Sequence, residues 1–267
     1  MRFLFVLFLF SFCCFLFSPR AYASSDRAYQ DYLYQRDLYR DTYNDFSIAK
    51  NEYLKFKTLT SEATVIVKVR EMLSQRALLL RAYLLFLQEK LNEATTMSEK
   101  DRQLFQSLIT NQIAFLENHS KFVESVASIG DATEANDKLQ SHYLILATSI
   151  RQIILGLTAS RLTELGNKYS GIMINAQILL NTAKEDLPMD RQLTLDRWFQ
   201  RISDKRTLFL EKLEHINAEK ITLKGIRMEE LHAKFEQTLS LATQAQIDLK
   251  EGTSYVKELL NAMRFTD

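Results

Sequence analysis

Across residues 29–91 apolar and polar positions recur with a helical period, in two stretches of different character. Tyr32, Tyr39, Tyr43, Phe46 and Tyr53 are spaced seven, four, three and seven residues apart, the near-heptad seam of a helix packed against another. Arg36, Lys50 and Lys57 fall on the same seam. It is therefore half-wet, a place where a tyrosine buries its ring and still reaches water or a partner with its hydroxyl. The second stretch is drier. Ile66, Val69, Leu73, Ala77, Leu80, Leu84, Leu87 and Leu91 form one stripe, Met72, Leu79, Tyr83 and Phe86 widen it, and from Ala77 to Leu87 only Arg81 interrupts. A helix apolar nearly all round belongs at the centre of a bundle, so this segment is expected to be the most buried of the fold.

The same period continues to the C-terminus. It predicts a first helix from about Asp26 to Lys57, a weak break at Thr58–Ser61, and a second helix from about Glu62 to Asn92. A polar loop from Ala94 to Met97 follows, and Ser98 with Asp101 offers an N-cap for a third helix reaching about Val126. Ile129-Gly130-Asp131 ends that helix, and Asp131-x-x-Glu134 reads as a capping box opening the fourth. Tyr143 to Leu157 is apolar on nearly every face apart from Arg151 and Gln152, the pattern of a second central element. Gly166 and Gly171 bracket an expected kink or short loop, after which Ile172, Met173, Ile174, Ile178, Leu179 and Leu180 resume a helix as far as Glu185. Pro188 suits the first turn of the next helix, where its missing N–H costs little. Phe199, Ile202, Arg206, Phe209, Leu213, Ile216, Lys220 and Leu223 alternate three and four, and the last helix does the same from Met228 to Met263. Small residues in the middle of that last seam would permit close helix approach.

Composition sharpens this reading. With six glycines and, apart from Pro19, only Pro188 to break helices, hairpin chemistry is almost absent and the chain reads as all-α. About six helices of roughly 30 residues, each about 45 Å long, predict an elongated antiparallel bundle or coiled-coil hairpins. At the N-terminus Met1-Arg2, the apolar run Phe3 to Phe17 and the exit Ala21-Tyr22-Ala23 form a secretory signal peptide, residues 1–23, with an uncleaved anchor as the alternative. The remaining 24–267 form the helical region, with sub-boundaries near 94–98, 127–133 and 185–190. Both cysteines, Cys13 and Cys14, lie in the signal, so the mature chain carries neither a disulfide framework nor a thiol nucleophile. Removing Arg2 and Arg20 leaves acids outnumbering bases by one, which is no footprint for nucleic acid.

The residues Tyr32-Leu33-Tyr34, Asp37-Leu38-Tyr39-Arg40, Tyr43-Asn44-Asp45-Phe46, Ala49 to Leu54 and Lys57-Thr58-Leu59 resemble a segment of uncharacterised exported all-helical proteins of candidate-phylum bacteria with reduced genomes. The resemblance covers about Tyr29 to Leu91. It implies an exported helical protein and contributes no catalytic or binding residue.

Chemistry is sparse elsewhere. Glu229-x-x-His232 has the spacing of a di-iron ligand pair, with Glu211, Glu214 and His215 upstream, but His119, His142 and His215 all lack a glutamate three residues before them. Solvated helix faces explain these residues better than a metal centre. Asp37, Asp41 and Asp45 make an acidic column beside Arg36 and Arg40, read as a charged face pairing with a neighbouring helix, with a cation site as the alternative. No G-x-S-x-G, H-E-x-x-H or glycine-rich phosphate loop is present, so no catalytic residue, cofactor or metal is assigned and the chain is not expected to be an enzyme.

The candidate interaction residues are Tyr32, Tyr39, Tyr43, Phe46 and Tyr53, either gripping a glycan, a peptidoglycan strand or a partner helix, or packing between helices with wet hydroxyls. The leading expectation is a structural or interaction protein of the envelope or extracellular space, taking a protein partner or forming a homo-oligomer. The strict three-four seams of the last two helices favour pairing between chains. The alternatives are a membrane-active protein that stores apolar helices in a soluble bundle, with Ala77–Leu87 and Tyr143–Leu157 as the stored elements, and a ligand-binding helical ectodomain. Both stored elements are shorter than a span of about 20 residues and carry or abut arginine.

Overall fold

A computed structural model describes residues 24–184, 187–223 and 227–264, and these are helical nearly throughout. The expected signal segment, 1–23, lies outside the described residues. Six helices follow in order: α1 Ser24–Phe56, α2 Leu59–Glu93, α3 Glu99–Glu124, α4 Ile129–Lys184, α5 Met189–Thr222 and α6 Met228–Arg264. No strand occurs among the described residues, and the helices pack on one another as an all-α bundle.

The chain divides into two compact units. Unit 1 comprises described residues 24–90 and 111–139, which are α1, most of α2, the second half of α3 and the first turns of α4. In it α1 and α2 run antiparallel: Ser24 meets Glu89, Tyr32 meets Tyr83, Gln35 meets Gln75 and Asp45 meets Lys68. The core of this unit is Met72 and Leu73 of α2, Val123 of α3, Val126, and Ala132 and Ala135 of α4, with Tyr39 and Phe46 of α1 against it. Unit 2 comprises 91–110 and 140 onward. There α4 lies against α3, where Phe105 meets Gly156, and against α5, where Phe209 meets Gly166, while α5 and α6 are joined by Lys205–Asp248 and Trp198–Tyr255. The three-four seams supply its core through Ile202, Phe209, Leu213 and Ile216 of α5 and Ala242, Ala245, Leu249, Val256 and Leu259 of α6. These seams are thus consumed inside unit 2, which removes the argument that they are free to pair between chains.

Three local expectations are corrected. First, α4 passes Gly166 and Gly171 without a break. A Cβ on Gly166 would lie 2.6 Å from the Phe209 ring, so that glycine serves close approach rather than chain reversal. Second, the cap of α4 is Ser128-x-x-Asp131: the Asp131 carboxylate accepts the backbone N–H of Ala127 and Ser128 at 3.0 and 2.9 Å, and Ser128 Oγ accepts that of Asp131 at 3.1 Å. Glu134 instead pairs with Lys138 at 2.8 Å. Third, the most buried stretch is in α4, not α2. Between Ala77 and Leu87 only Ala77, Leu84 and Leu87 are fully buried, whereas Leu146, Ile153, Leu155 and Leu162 of α4 have no exposed surface. The physical reason is the neighbours. At α4 glycines let aromatic rings seat directly on the helix, but α2 meets its partners through long polar side chains at Gln75, Arg76 and Arg81.

Two boundaries also shift, the first being that α3 stops at Glu124, so that Ile129 and Gly130, expected to end it, lie in the first turn of α4. Ser98 Oγ accepts the N–H of Asp101 at 3.1 Å to cap α3, and Arg102 donates to the carbonyls of Leu91 and Ala94 at the end of α2. The second shift is that Pro188, expected in the first turn of α5, is its N-cap, one position before the first helical residue.

Candidate functional site

The tyrosine seam is built by α1, which is covered on one narrow face, only Ser25 and Ala49 being fully buried. The Tyr32 ring centroid is 5.1 Å from that of Tyr83, and beside it Tyr29 lies 5.3 Å from Phe86. Tyr39 and Phe46 pack on the unit 1 core. Tyr43 lies 6.1 Å from Tyr39 and keeps half of its surface in water. Up to Phe46, then, the seam joins helices.

Beyond Phe46 it opens. The next seam position is Lys50, whose long stem and charged head cannot serve as a knob between helices. A groove of about 430 Å³ results, with Phe46, Lys50 and Tyr53 of α1 facing Val69 and Met72 of α2 and Ala132 of α4. Asn136 also borders it, its Oδ1 accepting from Arg76 at 3.3 Å. This wall is apolar with an amine, a phenol and an amide at its margin, a composition that holds an apolar side chain or a small amphipathic molecule. The structure thus gathers two of the five sequence-predicted residues, Phe46 and Tyr53, at one groove, and uses Tyr32 and Tyr39 for packing.

The acidic column is neutralised from its surroundings. Asp37 is 3.3 Å from Arg36 and 3.8 Å from Arg40, Asp41 is 3.9 Å from Arg40, and Asp45 is 3.1 Å from Lys68 of α2. These are exposed pairs of small energetic weight. His232 lies 3.9 Å from Glu236, both exposed, and among the described residues no group of three or more His, Cys, Asp or Glu side chains is placed to hold a metal ion. His119 is buried and stacked on Phe115 with ring centroids 6.1 Å apart, and its Nε2 has no hydrogen-bond partner. Burial pushes its pKa below the ordinary value, and the nearby Arg76 and Lys138 charges add to that.

Two features of unit 2 were not read from the sequence. The first is a buried polar set. Asp248 of α6 is bonded to Lys212 at 2.6 Å and Lys205 at 3.2 Å. Burial raises its pKa, but the two lysines outweigh that and the net shift is downward. Lys220 is likewise buried and donates to Asp101 and Asn217, each at 2.9 Å. Lys205 and Lys212 are seven residues apart and Lys220 sits on the seam itself, so the spacing was the available signal. The second is a surface. Tyr169, Ala176 and Leu180 of α4 are buried in the core, yet the opposite face of the same turns exposes Ile174 and Ile178, and Ile172 and Leu179 are exposed at the edge of the buried face. No charged side chain occurs between Lys168 and Lys184.

No protein-family model, no curated protein and no solved structure matches this chain.

Proposed function

We propose that this chain is an exported helical interaction protein of the cell envelope or extracellular space, acting by presenting helix surface to a protein partner or a second copy of itself. The observation that carries this reading is the outer face of α4. Ile174 and Ile178, one turn apart and each 59% exposed, share the outward face of a stretch without charge. Charged residues are depleted at the centre of protein interfaces, and contiguous exposed apolar surface marks binding faces. Export rests on the leader pattern of residues 1–23 and agrees with the resemblance of the tyrosine-rich stretch to exported helical proteins of candidate-phylum bacteria.

The test is light scattering on residues 24–267 over a range of concentrations, with Ile174→Asp/Ile178→Asp alongside and with envelope extract as a source of partners. Association or capture by the unaltered chain, lost in the variant while helicity is kept, supports the reading. A monomer at every concentration that captures nothing overturns it.

A membrane-active reading has one observation in its favour. By length and composition α4 is the one described helix long and apolar enough to cross a membrane, and half of that window is packed inside the protein. Absence of vesicle leakage across a wide pH range would eliminate this second reading.

A further inference from the structure

The turn between α1 and α2 carries apolar side chains with no cover. Leu54 and Phe56 end α1 and Leu59 begins α2, 56%, 59% and 87% exposed respectively. Folding does not need them there, since the seam that joins the two helices runs through Tyr32, Tyr39 and Phe46 instead. Around them stand Lys50, Lys55 and Lys57, with no acidic residue between Glu52 and Glu62. Among the described residues none of the three lysines is held in an ion pair, and Lys55 Nζ lies 5.0 Å from the Phe56 ring centroid.

Lys57 has φ 49°, the left-handed conformation that ends helices and that glycine adopts without strain. A lysine at this position keeps a positive charge at the apex despite the backbone preference. Part of the polar backbone of the turn is satisfied within it. Lys57 N–H donates to the Tyr53 carbonyl at 2.9 Å, Glu62 N–H to the Thr58 carbonyl at 2.9 Å, and Thr58 and Ser61 bond each other's backbone N–H through their hydroxyls at 3.1 and 3.2 Å.

From these observations we infer that the α1–α2 turn is a membrane-surface contact, seating Leu54, Phe56 and Leu59 at the acyl boundary of a bilayer with anionic headgroups. Three properties converge on that occupant. A convex apolar apex fits a deformable lipid surface better than a preformed protein cleft. Four of its N–H groups, those of Lys57, Thr58, Ser61 and Glu62, are already bonded within the turn and need no water at that surface. The lysines, with long stems and charged ends, meet headgroup phosphates while their methylenes stay among the lipids. The bilayer is peripheral here, touched by a turn rather than crossed by a helix.

The experiment is co-sedimentation of residues 24–267 with vesicles of phosphatidylcholine alone, and with about one-third phosphatidylglycerol added. Omitting residues 1–23 keeps the leader's apolar run from contributing. Binding to the anionic vesicles is expected, at least about tenfold weaker on the neutral ones and weakened by salt. Phe56→Asp/Leu59→Asp should lose about tenfold or more with an unchanged thermal melt, because both side chains are already in water. Lys57→Gly should bind about fivefold more weakly, by loss of one headgroup charge, while melting higher through relief of the left-handed backbone. Equal sedimentation of the Asp variant and the unaltered chain overturns the inference, as does binding to neither vesicle. Loss of self-association or protein capture in the Asp variant without vesicle binding by the unaltered chain assigns the turn to a protein and also overturns it. Ile174→Asp/Ile178→Asp should bind vesicles normally, which keeps this result separate from that for the α4 face.

Discussion

Two glycines of α4, fifteen residues apart in the same unit, should respond oppositely to alanine. A Cβ on Gly156 would lie 2.1 Å from Cε2 and 2.5 Å from Cζ of Phe105, whereas ordinary carbon contacts are about 3.5–4.0 Å. Phe105 is 1% exposed, so the ring has no open space into which to swing. Overpacking costs about 1–3 kcal/mol, and a contact this short on an enclosed ring belongs at the upper end, about 2–3 kcal/mol, against a helix-propensity gain of about 1 kcal/mol for replacing glycine with alanine. Gly156→Ala should therefore be net destabilising by about 1–2 kcal/mol. At Gly171 no heavy atom lies within 4 Å of the added carbon. Only the propensity gain remains, and Gly171→Ala should stabilise by about 0.5–1 kcal/mol. In calorimetric melts of residues 24–267 at low concentration, where association does not contribute to Tm, the first variant should fall by about 2–8 °C and the second rise by about 1–4 °C. A neutral Gly156→Ala would mean that Phe105 does not seat on α4. A destabilising Gly171→Ala would mean that something covers the outer face even in dilute solution. Either result refutes the packing described for unit 2.

Other consequences follow from the buried polar groups. Asp248→Asn should lower stability by about 1–2 kcal/mol in urea unfolding by leaving Lys212 without its carboxylate, while Lys205 keeps Glu251 at 2.5 Å, and a loss under about 0.5 kcal/mol would remove the structural role assigned to the cluster. Because the Asp248 pKa lies below its ordinary value of 3.8, its contribution is present above that pH and is lost as pH falls through the depressed value; Asp248→Asn should flatten the acid limb of the stability profile there. His119, with a lowered pKa, binds fewer protons folded than unfolded just below pH 6.5, so stability should decline as pH falls through that region. His119→Leu should remove that slope and, by eliminating an unpartnered buried nitrogen, raise stability by about 1 kcal/mol; an unchanged slope would place its origin elsewhere. Burial pushes the Tyr169 phenol up to about 12, outweighing the opposite effect of Arg206. Stability should accordingly fall as pH rises from 10 toward 12, and Tyr169→Phe, which also loses the 3.0 Å bond to the Ile202 carbonyl, should abolish that dependence while costing about 0.5–1.5 kcal/mol.

Much of the bundle was legible because helices are specified by local pattern. The three-four runs of α5 and α6, the Ser98 cap and the stop around Ala94–Met97 depend on residues within a turn or two of each other. The candidate site was legible in half. The tyrosine period identified a helix-joining seam, and Lys50 on it marked where packing would fail. Whether a tyrosine on that seam meets another ring, as Tyr32 does, or water, as Tyr43 does in part, depends on the partner helix facing it.

Local sequence by itself therefore determined the helices, their apolar faces and the all-α class, since each follows from the 3.6-residue period and from the scarcity of glycine and proline. Only the tertiary structure decided which apolar faces are used. Gly166 and Gly171 look alike in a helical sequence, but one lies beneath Phe209 and the other faces open space. Leu180 and Leu179 are adjacent leucines, one fully buried and the other half in solvent. Burial is set by elements far away in the chain, and that is why α4 rather than α2 holds the most enclosed positions and why an apolar face remains outside.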